Sequence, residues 1–250
     1  MSPILYGHRG AKGEAPENTL TGFAYAQRLG VAAFELDVHL AADGELVVIH
    51  DATVDRTTNG HGPVSGFTSS ELAALDARVA FPAWPEPAGV PRLTDVLDAF
   101  GATQSFQIEI KTAPPGVLEV VARTLVDLIG RYGIEARTEI ASFDPAALEI
   151  VRRIAPELPR AYIGRYDTPA FLATALSLGC AGACIPHKTS TRATVDEAHA
   201  AGLHVTGWLG NTDQDLRLLL DWGVESITTD FPSVALTFLG PQAPGSAVPC

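Results

Sequence analysis

Three carboxylates in this chain, Glu35, Asp37 and Glu109, fall at the ends of short apolar runs that have the character of β-strands. Side chains alternate between the two faces of a strand, so Glu35 and Asp37 point the same way, and so do Glu109 and Lys111. Carboxylates that converge repel one another unless a cation joins them. Donors that are all oxygen favour a hard ion, Mg2+ or Ca2+, over zinc. His8, Arg9 and His50 stand at further strand ends, as do Ser142, Phe143, Trp208 and Asp230. Each has an ordinary reading: His8 as a structural histidine, His50-Asp51 as the entry to a turn, Lys111 as a neutraliser of Glu109, Trp208 as core. Independent accidents multiply, and the joint placement points to one metal-assisted site.

Such residues meet only if the strands carrying them lie side by side. A first strand spans 3–7. A helix over about 19–29 follows, capped near Asn18 or Thr19 and closed by Gly30. A second strand runs through Ala32–Val38, and Asp43-Gly44 turns it into a hairpin partner, Leu46–Ile49. Beyond residue 92 the rhythm is regular. Strands are predicted at Ser105–Ile110, Thr138–Ala141, Arg160–Ile163, Ala183–Ile185, His204–Trp208 and Ser226–Thr229. Helices separate them, opening near Thr94, Pro115, Pro145, Thr168-Pro169, Thr212 and Pro232; the one that closes at Gly202 starts at Thr194 or holds a capping box there. Alternation of this kind implies a parallel sheet, and eight strand–helix units in about 240 residues suit a closed (β/α)8 TIM-type barrel. Residues 1–240 are read as one barrel domain with a cap insertion at about 52–92, expected over the mouth. The tail, 241–250, is expected to be disordered.

At 250 residues with 46% hydrophobic and 18% charged residues, the composition is globular. A formal net charge of −12 argues against nucleic acid or anionic lipid as partner, and an anionic substrate would need local positive charge or a metal. No apolar run approaches the ~18 residues of a membrane span, so no integral membrane segment is expected. The start lacks the basic and apolar regions of a signal peptide, and Cys180, Cys184 and Cys250 form no Cys-x-x-Cys pair. Reduced thiols and a cytoplasmic location are the expectation. The exterior helices name no oligomer interface.

Other motifs fail on context. Asp196-Glu197-Ala198-His199 has no phosphate-binding loop beside it, and Gly60-x-Gly62 follows no buried strand. His39 is expected one step off the ligand face, and His61 within reach of substrate. His187, His199 and His204 read as structural or surface.

Taken in order, the motifs resemble those of the glycerophosphodiester phosphodiesterase family over nearly the whole chain. The carriers are His8-Arg9-Gly10, Pro16-Glu17-Asn18-Thr19, Glu35-Leu36-Asp37-Val38, Val48-Ile49-His50-Asp51 and Arg56-Thr57-Thr58-Asn59-Gly60. Ile108-Glu109-Ile110-Lys111, Ser142-Phe143, Trp208 and Thr229-Asp230-x-Pro232 continue the series. The resemblance implies the barrel and a small-molecule substrate, a glycerophosphodiester such as glycerophosphocholine or glycerophosphoethanolamine, split to glycerol 3-phosphate and an alcohol. It implies Glu35, Asp37 and Glu109 as ligands of one divalent metal, Mg2+ or Ca2+. His8 and His50 become general acid and base, Arg9 and Lys111 phosphate contacts, and Trp208 a substrate-packing residue. Two departures stand out: Ala41 and Leu209 occupy positions where the family often has Thr, and Leu209 bears on the wall beside the glycerol. A ring-forming phospholipase D-like lyase and a silent phosphate-binding barrel are the alternatives. Attack by a glycerol hydroxyl through a cyclic phosphate and direct attack by water both stay open.

Overall fold

Local punctuation sets the elements. In the computed structural model, which describes residues 2–164 and 170–240, β1 (Ile4–His8) leads to α1 (Leu20–Leu29), β2 (Ala33–Leu40) and the short β3 (Leu46–Val48). A two-turn helix, α2 (Ser69–Ala74), lies in the insertion. Then come α3 (Leu93–Phe100), β4 (Ser105–Ile110), α4 (Pro115–Tyr132), β5 (Thr138–Ser142), α5 (Pro145–Ile154) and β6 (Arg160–Ile163). The series closes with α6 (Phe171–Ser177), β7 (Gly182–Pro186), α7 (Arg192–Ala200), β8 (His204–Trp208), α8 (Asp213–Trp222), β9 (Ser226–Thr229) and α9 (Pro232–Leu239). Thr19 caps α1 by accepting from the Gly22 N–H, and Gly30, at φ 106°, takes the left-handed conformation that ends it. Prolines in the first turn open α4, α5 and α9. The start of α7 differs from expectation: the capping box joins Thr191 to Thr194, so the helix begins at Arg192 and Thr194 lies inside its first turn. Thr168-Pro169, Cys250 and the 241–250 tail lie outside the described residues.

Eight strands pair in parallel around a ring, β1-β2-β4-β5-β6-β7-β8-β9, and β9 pairs with β1 to close the barrel. β3 is antiparallel, on β2. Strand alternation then divides the side chains. Phe34, Leu36, Phe106, Ile108, Ile110, Val205 and Ile227 are buried in the layer between strands and helices. Burial of each such side chain contributes about 1.5–3 kcal/mol, so the apolar weight of the fold sits outside the barrel wall.

The inside is unusually polar. Tyr6 Oη meets Ser105 Oγ at 2.7 Å. His204 Nε2 lies 2.7 Å from Glu139 Oε1. Gly182 is required beside that pair: a Cβ there would stand 2.3 Å from His204 Nε2 and 2.7 Å from Glu139 Oε1.

The insertion is a buttress. Val54, Val64 and Leu72 pack with Val47, Ile49 and Val90 of the hairpin and its return in a small satellite core. This apolar contact holds the segment beside the mouth, and none of residues 52–92 lines the cavity there.

Candidate active site

The turn after β1 is tight, with Arg9 at φ 52° and Gly10 at φ 87°. A non-glycine residue in the left-handed region costs about 1–2 kcal/mol. What it achieves is visible: the Arg9 N–H donates to the Glu35 carbonyl at 2.9 Å while its guanidinium swings over the acidic cluster. Arg9 Nη1 bonds Glu17 at 2.8 Å and Nε lies 3.2 Å from Asp37.

Glu35 and Asp37 on β2 and Glu109 on β4 converge, each offering an oxygen within 4.8 Å of the others, and all three are buried. The register puts Asp37 directly beside Glu109 and Glu35 beside Gln107. Lys111 Nζ sits between Asp37, at 2.7 Å, and Glu109, at 2.6 Å. Asn18 Nδ2 donates to Asp37 Oδ2 at 2.8 Å. Burial pushes Glu35 well above the usual carboxylate range, with repulsion from Asp37 added and Arg9 opposing. Burial likewise lifts Glu109, to about 7, Asp37 adding and Lys111 opposing. Burial acts on Asp37 too, yet Lys111 and Arg9 outweigh it and hold Asp37 well below the usual range. A cluster in which two of three carboxylates are driven toward the neutral form has room for more positive charge. The donors are all oxygen, so the residues fit a hard divalent ion.

Two imidazoles flank this cluster. His8 Nδ1 lies 2.5 Å from Asp230 Oδ1, and His50 Nδ1 lies 2.6 Å from Asp51 Oδ1. A carboxylate only accepts, so each Nδ1 carries the hydrogen and each neutral ring keeps Nε2 as its basic nitrogen. His8 Nε2 is 3.7 Å from Glu35 Oε2. Burial lowers the pKa of His8 against the pull of Asp230, and burial lowers that of His50 against the pull of Asp37. His39 donates from Nε2 to the His50 carbonyl at 3.1 Å, behind the site.

The insertion reaches the site through one side chain. Arg56 bonds Asp51 at 2.6 Å and grips Glu17 with two nitrogens at 2.8 and 2.9 Å. Glu17 thereby links Arg56 to Arg9. Asp51 is held down at about 2, chiefly by the Arg56 hydrogen bond.

Between these groups lies a cavity of about 250 Å³. His8, Arg9, Lys12, Glu35, His50 and Glu109 form its charged side; Phe143, Ile163, Trp208 and Leu209 form its apolar side. Phe143 and Trp208 meet edge-on at 6.4 Å. His187 holds the Trp208 carbonyl at 3.2 Å while its other nitrogen faces Asp215 at 3.0 Å. Six of the eight candidates read from the sequence line this cavity, and the other two contact lining residues directly, Asp37 through Arg9 and Lys111 through Glu109. His61 is turned away, paired with Asp55 at 3.2 Å and largely exposed. Cys180 and Cys184 are free, buried thiols.

Residues 8–234 fit the sequence profile of the glycerophosphoryl diester phosphodiesterase family. The chain belongs to that family. It is 32% identical over 247 residues to the glycerophosphodiester phosphodiesterase of Bacillus subtilis strain 168, covering 92% of this chain and 84% of that one. A glycerophosphodiester phosphodiesterase of Caldanaerobacter subterraneus is also 32% identical, over 96% of this chain and 98% of its own. Among solved structures, a phosphodiesterase from Oleispira antarctica in complex with the product sn-glycerol-3-phosphate superposes with a TM-score of 0.88 at 26% identity, covering 95% and 97% of the two chains.

Several residues of this family member carry the geometry without having been assigned a role from sequence. Asp230, Asp51, Glu17, Asn18 and Arg56 all stand inside the quoted motifs, which was the available signal. Asn211 had none: its Nδ2 donates to Asp230 at 2.9 Å and its Oδ1 accepts from the Asp230 N–H at 2.8 Å, locking the carboxylate that turns His8.

Proposed function

We propose that this phosphodiesterase hydrolyses glycerophosphodiesters, such as glycerophosphocholine and glycerophosphoethanolamine, to glycerol 3-phosphate and an alcohol. One observation carries the reading: two carboxylate-turned imidazoles share a cavity with a buried, oxygen-only acidic cluster. The product complex of the Oleispira antarctica relative supports the substrate class.

In this reading Glu35, Asp37 and Glu109 would hold one divalent ion, Mg2+ or Ca2+, whose charge would offset that growing on the phosphoryl oxygens. Arg9 contacts the phosphate. Lys111 holds Asp37 ionised, opposes the burial that lifts Glu109, and lends its charge across both. One of His8 and His50 takes a proton from the attacking hydroxyl through Nε2, and the other gives one to the departing alkoxide. Asp230 and Asp51 fix the ring orientations and stabilise whichever imidazolium forms. Trp208 and Phe143 pack on carbon.

The test is turnover of glycerophosphocholine with Mg2+ or Ca2+, with and without EDTA, followed by phosphorus NMR. Glycerol 3-phosphate as final product, lost on chelation, is the expected result. A cyclic glycerophosphate that accumulates as the end product would replace this reading with the lyase. Absence of turnover with every divalent ion tried would leave a binding barrel.

A further inference from the structure

Gln107 is buried, 3% exposed, yet it lines the cavity. It stands two residues before Glu109 on β4, on the same face, so it lies ~6.6 Å further down the strand, toward the barrel floor. Its Nε2 donates to Glu139 Oε2 at 2.8 Å and contacts Cys184 Sγ at 3.4 Å. The other oxygen of Glu139 lies 2.7 Å from His204 Nε2. A carboxylate accepts and cannot donate, so it dictates which end of the amide faces it: nitrogen down, carbonyl up. The flipped amide would set oxygen against oxygen inside a low-dielectric barrel. Among the described residues no donor reaches Gln107 Oε1. Substrate filling the cavity expels the water that reaches this acceptor, and the acceptor is then costly to leave unpaired.

The geometry points to Gln107 Oε1 as the acceptor for the terminal hydroxyl of the substrate's glyceryl arm, held in that orientation by the Glu139–His204 pair. This inference rests on the reading that a glycerophosphodiester occupies the cavity. With the phosphate beside Glu35, Glu109 and the two imidazoles, a three-carbon arm directed inward brings its far end to the depth of Gln107. A site built to accept from a hydroxyl discriminates against the analogue without one, because the carbonyl is then left unpaired. Gln107 is thus a specificity-determining residue, and Glu139 and His204 are positioning residues.

The experiment compares kcat/KM for glycerophosphocholine with that for the same diester built on propane-1,2-diol, which lacks only the terminal hydroxyl. The metal-loaded wild-type enzyme should prefer the glyceryl substrate by roughly 10- to 100-fold. Gln107→Met, similar in volume but without the acceptor, should bring that ratio toward one by slowing the glyceryl substrate alone. A ratio unchanged in a folded Gln107→Met protein overturns the inference. Wild-type enzyme offers a measurement that needs no variant: glycerol 3-phosphate should inhibit roughly tenfold or more tightly than propane-1,2-diol 1-phosphate, and equal inhibition constants overturn the inference as well. Turnover of neither diester would sink the functional reading itself, whereas equal turnover of both sinks only the role of Gln107.

Discussion

Replacing Asp230 with asparagine exchanges one oxygen for an NH2 group at a position that does not line the cavity, which makes it a clean probe of how His8 works. Asp230 Oδ1 receives His8 Nδ1 at 2.5 Å and Oδ2 receives Asn211 Nδ2 at 2.9 Å. Both partners donate, and an amide has only one accepting atom. If the new NH2 faces Asn211, two donors collide and the side chain loses its anchor. If it faces His8, Nδ1 must become the acceptor, the ring hydrogen moves to Nε2, and the nitrogen directed at the reaction is no longer basic. Either way a charge-assisted hydrogen bond is lost, worth about 1.5–3 kcal/mol. At about 1.4 kcal/mol per decade, kcat should fall roughly 10- to 150-fold, more if the tautomer effect dominates. KM for glycerophosphocholine should hold within about a factor of two to three, because Asp230 does not line the cavity. Steady-state assays of released glycerol 3-phosphate at several pH values measure both constants. A kcat within twofold of wild type, in a protein with native circular dichroism, would refute the argument that Asp230 sets the working state of His8. Asn211→Ala should move kcat in the same direction by less.

Further expectations follow from the same geometry. His8→Ala and His50→Ala should each lose roughly 10²–10⁴ in kcat; near-full activity in both would remove the acid–base assignment. Mg2+ or Ca2+ should raise the thermal midpoint of wild-type protein, since an ion that binds only the folded site stabilises it. Asp37→Asn should blunt that rise, and a midpoint indifferent to both ions in wild type would count against the acidic cluster as their site. The His204–Glu139 pair has a pH signature. Burial acts to lower the pKa of His204, but Glu139 outweighs it and the folded value is raised. Stability from this pair is therefore complete below the unfolded value, about 6.5, and is lost as pH rises through the higher folded value. Differential scanning fluorimetry should show a midpoint falling across that window in wild type and flatter in His204→Gln; parallel curves would contradict the pair's contribution.

Much of the architecture was legible because its signals are local. Period-two alternation marked the faces of β2 and β4, and Gly30 closed α1 in the left-handed conformation. Strands such as Ser105–Ile110 and His204–Trp208 appear with the boundaries read from sequence. The shared face of Glu35 and Asp37 follows from spacing alone. The start of α7 was misplaced because Thr191 and Thr194 each suit a cap, and the insertion has no period to read.

What only the tertiary structure decided is pairing across the closed ring. His8 and Asp230 lie 222 residues apart and Arg56 and Glu17 lie 39 apart. Neither partner's identity constrains the other in one sequence, because each could serve equally well as a solvated charge. Barrel closure between β1 and β9 brings the first pair together, and the satellite core under the hairpin brings the second. The same closure turns Gln107, Glu139 and His204, unremarkable polar residues in three separate strands, into a connected interior beneath the acidic cluster. Residue types and their faces are properties of short segments; which charge neutralises which is a property of the ring, since Coulomb energies depend on distances that only the fold sets.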